Sequence, residues 1–123
     1  MHLSGLQVRI NCHIDSGRED LEPIHASIVI PVEGYHDTFM YWMDGQYEEK
    51  LSFTDTGVSY KKIVWVRAPK LIKCIQILDT TLCRVDVPHS ASSRLDGSYR
   101  TIVSIRLQGN PTVEEILAKT NQA

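Results

Sequence analysis

The chain has 123 residues, 42% of them hydrophobic and 23% charged, with five histidines, three cysteines and a formal net charge of −2. That length supports one domain with one real core, and the composition argues against disorder for all but the ends and one loop. The longest apolar runs, Ile28 to Val32 and Ile75 to Leu78, fall far short of the roughly 20 residues that a spanning helix requires, so no membrane role is expected.

The modest net charge hides a lopsided distribution. From Asp15 to Asp55 ten acidic residues face two basic ones, a formal charge of −8. From Thr56 to Leu107 nine basic residues face three acidic ones, a formal charge of +6. If the two stretches fold onto different faces, the molecule carries an electric dipole that steers charged partners, or copies of itself.

The opening Met1-His2-Leu3-Ser4-Gly5 has neither a basic leader nor an apolar signal core, which predicts a cytoplasmic protein. Cys12, Cys74 and Cys83 show no C-x-x-C spacing and fit reduced thiols; a Cys74–Cys83 bridge would need the two to oppose each other across adjacent strands.

Leu6, Val8, Ile10, Cys12 and Ile14 alternate with polar residues, which predicts a strand with one wet face. Ile24, Ala26, Ile28, Ile30 and Val32 repeat the pattern, with Val29 apolar on the other side. Phe39 to Met43 and Gln46 to Phe53 read as two strands joined by a hairpin turn at Asp44-Gly45, since both residues tolerate positive φ. Gly57 marks the next reversal, Ser59 to Arg67 reads as a strand, and Pro69, which has no amide hydrogen, interrupts the ladder.

Leu71 to Leu78 and Leu82 to Val87 are further strands, whereas Pro88 to Ser98, rich in serine, reads as the loosest loop. Tyr99, Thr101, Val103, Ile105 and Leu107 alternate again, with Arg100, Ser104 and Arg106 on a basic outer side. The tail reads as a helix capped by Asn110, with Pro111 in its first turn and Glu114 and Glu115 at the positive end of its dipole. The expected fold is all-β and mainly antiparallel, a small β-sandwich or barrel of about seven or eight strands with one short C-terminal helix, in a single domain.

No catalytic pattern stands out. The histidines and cysteines match no zinc signature, Cys12 and His13 point to opposite faces of their strand, and no G-x-S-x-G or phosphate-loop spacing occurs. Neither an enzyme, a metal nor a cofactor is expected. Tyr35, Met40, Trp42 and Tyr47, flanked by Glu33, Asp37, Asp44, Glu48 and Glu49, suggest an aromatic hairpin with an acidic rim, because aromatics and Met are enriched in protein interfaces and the acids would select a basic partner. The main expectation is a non-enzymatic protein-binding module acting through that hairpin, an inhibitor or adaptor presenting carboxylates where a polyanion would lie. The alternative is an OB-like or sandwich protein that binds single-stranded nucleic acid through Lys61, Lys62, Trp65, Arg67, Lys70 and Lys73, with cations on phosphates and Trp65 on a base. Self-assembly through opposite charge is a third expectation.

Overall fold

The structure, a computed structural model, describes residues 12–17, 22–34, 39–91 and 101–121. Among the described residues nine strands form two antiparallel sheets and one helix follows them, so the expected sandwich is present. The strands are β1 (His13–Asp15), β2 (Ala26–Glu33), β3 (Met40–Asp44), β4 (Tyr47–Phe53), β5 (Ser59–Trp65), β6 (Lys70–Ile75), β7 (Thr81–Arg84), β8 (His89–Ala91) and β9 (Thr101–Arg106), and the helix is α1 (Val113–Asn121). The larger sheet runs β4-β5-β1-β8-β3-β6 and the smaller runs β7-β2-β9. Of the first expected strand only its end, β1, lies among the described residues.

Asp44-Gly45 is not a hairpin turn. β3 pairs with β6, from Met40↔Ile75 to Asp44↔Lys70, while β4 pairs with β5, from Tyr47↔Trp65 to Phe53↔Ser59. The chain from 40 to 53 is therefore one arm of a long ribbon, the chain from 59 to 75 is the other, and the ribbon is interrupted opposite Pro69. At that break the Gly45 amide donates to Asp44 Oδ1 at 2.9 Å. Gly45 has φ +156°, and a Cβ there would meet Trp65 Cζ3 at 3.3 Å and the Pro69 Cα at 3.5 Å. The reversal comes at Thr54–Val58, where the Thr54 hydroxyl accepts from the Val58 amide at 3.0 Å and Gly57 takes φ +86°.

Two apolar clusters lie on opposite faces of the larger sheet. Between the sheets, Met40 and Trp42 pack with Val29, Ile77, Cys83 and Val85. On the other face, Cys12, Ile14, Tyr41, Met43 and Ile63 are buried together. Alternation explains the split, because Met40 and Trp42 point one way along β3 and Tyr41 and Met43 the other. Trp42 Nε1 donates to the Arg84 carbonyl of β7 at 2.8 Å, a direct tie between the sheets.

The smaller sheet is turned over relative to its sequence pattern. Ser27 opposes Cys83 and Arg106, and Val29 opposes Thr81 and Ser104; this face, with Cys83 and Val29, meets the inter-sheet core. Ile28, flanked by Leu82 and Ile105, and Ile30, opposite Val103, point away from the larger sheet. The expected basic outer side of β9 is thus its inner side. Alternation establishes that two faces differ, and here the small polar residues take the face toward the larger sheet, Ser27 buried and Ser104 at its exposed margin, with their hydroxyls hydrogen-bonded to each other.

Thr112, rather than Asn110, caps α1: its hydroxyl accepts from the Glu115 amide at 3.1 Å, as an N-cap does, and donates to the Glu115 carboxylate at 3.2 Å. Asn110, in a left-handed conformation at φ 49°, instead accepts from the His25 amide at 3.0 Å and donates to the Pro23 carbonyl at 2.9 Å. Together with the Arg84–Glu114 ion pair, this seats the helix against β7 and the approach to β2. No helix among the described residues is long and apolar enough to cross a membrane.

Candidate functional site

The charge halves of the sequence do not separate into poles. β4 with its acids pairs with β5 and its lysines, and the acidic end of β3 meets the basic start of β6 at Asp44↔Lys70. Glu49 and Lys61 share a face of the β4–β5 ladder and form an ion pair at 3.4 Å. Local neutralisation replaces the expected dipole.

Met40 and Trp42, expected as outward anchors of the partner surface, are buried in the inter-sheet core at 6% and 9% exposure. A strand inside a sandwich has both faces covered, so aromatic density in β3 signals core. Tyr47 is half-buried and packs edge-on against Trp65, with ring centroids 5.6 Å apart; burial, with Glu49 and Asp44 nearby, pushes its phenol pKa up. Glu33, Asp44, Glu48 and Glu49 are exposed, and Tyr35 and Asp37 lie outside the described residues. Among the residues of the alternative surface, Lys62, Arg67, Lys70 and Lys73 are exposed, but Lys61 and Lys62 point to opposite faces of β5. Arg84 and Arg106, which could have extended a cationic stripe, are bound to Glu114 and Asp15 respectively.

A cluster that the sequence left scattered does assemble. His13 and Asp15 are two apart on β1 and so share a face, and His13 stands directly opposite His89 of β8. All three side chains turn toward the smaller sheet, where Arg106 reaches them from β9. His13 Nε2 lies 3.2 Å and His89 Nε2 3.4 Å from the same oxygen, Asp15 Oδ1, and Arg106 is 3.5 Å from Oδ2. The two imidazoles are tilted against each other with centroids 4.3 Å apart. Burial acts to raise the Asp15 pKa, but hydrogen bonds and charge from His13 and His89 outweigh it and hold the carboxyl well below its usual range.

His89, with its side chain 4% exposed, falls in the segment expected to be a loop; β8 instead occupies the middle of the larger sheet. The part of that segment from 92 to 98 lies outside the described residues. The cluster borders a cavity of about 390 Å³ that His13, Asp15, Tyr60, Lys62 and Arg106 help to line.

All three thiols are free. Burial pushes Cys12 up to about 11, opposed by a hydrogen bond with Trp65, and pushes Cys83 up to about 11. Cys74 is raised by burial as well, offset in part by Tyr41. Cys74 and Cys83 belong to different sheets, and the bridge between them is not made.

The second surface feature is the outer face of the smaller sheet. Val32, Val103 and Ile105 are 55%, 47% and 41% exposed, beside the half-buried Ile28, Ile30 and Leu82. No known family model matches the chain, and neither a curated protein nor a solved structure is found similar to it.

Proposed function

We propose that the protein is a protein-binding module whose contact surface is the outer face of the β7-β2-β9 sheet, and that the occupant of this face is a second copy of the chain. The observation that carries the reading is the inverted polarity of the sheet. β2 and β9 direct Ser27, Ser104 and Arg106 inward and expose Val32, Val103 and Ile105. Apolar rows of this kind, contiguous across three strands, mark interaction sites when left uncovered.

Charge argues for self-association. The rows Leu82–Ile28–Ile105 and Ile30–Val103 contain no charged side chain themselves, with Glu33, opposite Thr101, bordering them at one end, and a two-fold axis through the face would lay like rows on like. The neighbouring Arg84 is already occupied by Glu114.

The magnitude sets the affinity. Each of the three exposed side chains retains about half of the ~1.5–3 kcal/mol that full burial is worth, so two copies gain about 4–9 kcal/mol before the cost of association. Set against an association cost of about 4–15 kcal/mol, this leaves at most a weak dimer even with the remaining area of Ile28, Ile30 and Leu82, dissociating at about 100 μM or above. Sedimentation equilibrium from about 10 μM to about 1 mM therefore shows an average mass that rises with concentration, and Val103→Lys weakens the association at least tenfold while leaving circular dichroism unchanged. A mass that stays at one chain throughout, or a V103K protein that associates as well as the parent, refutes the reading.

A further inference from the structure

We propose that His13, Asp15 and His89 form a binding site for one divalent transition-metal ion of the zinc class. The three donor atoms, two imidazole nitrogens and one carboxylate oxygen, all lie within 4.8 Å of one another. In a tetrahedral site with ligands about 2.0–2.2 Å from zinc, neighbouring donors stand about 3.3–3.6 Å apart. The separations of 3.2 and 3.4 Å from Asp15 Oδ1 to the two Nε2 atoms match that spacing closely.

Hydrogen bonding at His89 calls for a cation. Its Nδ1 stands 2.8 Å from the Val87 carbonyl oxygen, which can only accept. With the proton on Nδ1, the neutral ring directs the Nε2 lone pair at the Asp15 carboxylate, another acceptor. With the proton on Nε2, the Nδ1 lone pair faces the carbonyl instead. Neither neutral tautomer satisfies both sides by itself, whereas a metal ion between Nε2 and Oδ1 satisfies both, with the Nδ1 proton donated to the Val87 carbonyl.

The surroundings favour the metal. A ligating histidine characteristically donates its other ring N–H to a backbone carbonyl or carboxylate, which fixes the tautomer and aims the lone pair; His89 has that arrangement with Val87. Arg106 holds the second oxygen of Asp15 and leaves Oδ1 to the two histidines. The donors come from two paired strands, β1 and β8, in the interior of a sandwich, which fixes them more rigidly than a loop would. Two imidazoles with one carboxylate suit zinc, cobalt, nickel or ferrous iron rather than magnesium or calcium, which prefer all-oxygen shells. Three protein ligands leave coordination positions open toward the cavity that Lys62 and Arg106 help to line, where water or a small anion completes the shell.

Titration of the chelator-treated full chain with Co²⁺, followed by visible absorption and by metal analysis after desalting, tests the site. The expected result is one Co²⁺ per chain, displaced by Zn²⁺, with visible bands but no thiolate charge-transfer absorption, since no cysteine takes part. His13→Ala removes a partly exposed ligand and weakens binding at least tenfold; Asp15→Asn, which keeps the shape, does the same. Circular dichroism and urea midpoints of the metal-free variants establish that both remain folded, and Cys74→Ser retains full binding. Failure to bind at pH 7.5 overturns the proposal. So does binding that H13A and D15N leave unaltered, or a spectrum dominated by thiolate ligation.

Discussion

Trp42 separates a core reading of β3 from a surface reading, because each assigns it an opposite phenotype. Trp42→Phe keeps an aromatic ring among Met40, Val29, Ile77, Cys83 and Val85 but removes Nε1, leaving the Arg84 carbonyl, which accepts at 2.8 Å, without that donor. An unsatisfied buried acceptor costs about 1–3 kcal/mol, and the lost ring area adds to it, so a total of about 2–4 kcal/mol is expected. Trp42→Ala removes the packing as well and costs about 3–5 kcal/mol, a large share of the roughly 5–15 kcal/mol that holds a domain of this kind together. Urea unfolding followed by far-ultraviolet circular dichroism measures both, with Trp65 available as an independent fluorescent probe. A loss below about 0.5 kcal/mol for both variants, the range typical of surface substitutions, would refute the burial argument and return Trp42 to the surface.

Gly45→Ala is expected to destabilise by about 1–3 kcal/mol, because the added methyl combines an unfavourable φ of +156° with contact at 3.3 Å to the Trp65 ring; a neutral effect in urea titration would mean that the bent ribbon relaxes freely at this point. Thiol labelling with a disulfide reagent at pH 8 modifies Cys74 first, since it is only partly buried, while Cys12 and Cys83, 1% and 2% exposed, react only as fast as the fold opens; equal rates for all three would contradict their burial. The same two thiols carry a pH signature. Their folded-state pKa, about 11, lies above the thiol's ordinary value of 9.0, so the unfolded chain loses these protons first. Their contribution is fully present below about pH 9 and is lost as pH rises toward 11, on the order of 2–3 kcal/mol per thiol. Cys83→Ala accordingly flattens the alkaline fall in the urea midpoint, and an unchanged slope would show that Cys83 does not contribute.

Much of the fold was legible because short-range rules govern it. The turn at Gly57, the strand that follows it, the break at Pro69 and the terminal helix each depend on a few neighbouring residues. Long-range pairing was not legible. Asp44-Gly45 carries hairpin chemistry, yet β3 and β4 find their partners in β6 and β5, since a continuing ribbon extends a ladder that a tight turn would have ended. The candidate site divides in the same way. His13 and Asp15, two apart on a strand, already shared a face in the sequence pattern, and that spacing was the available signal. His89 lies 76 positions from His13, in a serine-rich segment whose local composition favours a loop, and only the register His13↔His89 brings it in.

The inverted smaller sheet links the two proposals physically. A sandwich that put Ile28, Ile30, Val103 and Ile105 inside would bury more hydrocarbon, but it would set apolar side chains against Asp15, whose ionised carboxylate would then sit in a poorly polar interior at a cost of several kcal/mol. With Ser27, Ser104 and Arg106 turned inward, the charge on Asp15 faces a cation and nearby hydroxyls, and the apolar rows pass to the outside. The polar cluster and the uncovered hydrophobic face are thus two consequences of one packing choice. Replacing the cluster by hydrocarbon, for instance in a His13→Leu, Asp15→Leu, His89→Leu, Arg106→Leu chain, removes the reason for that choice.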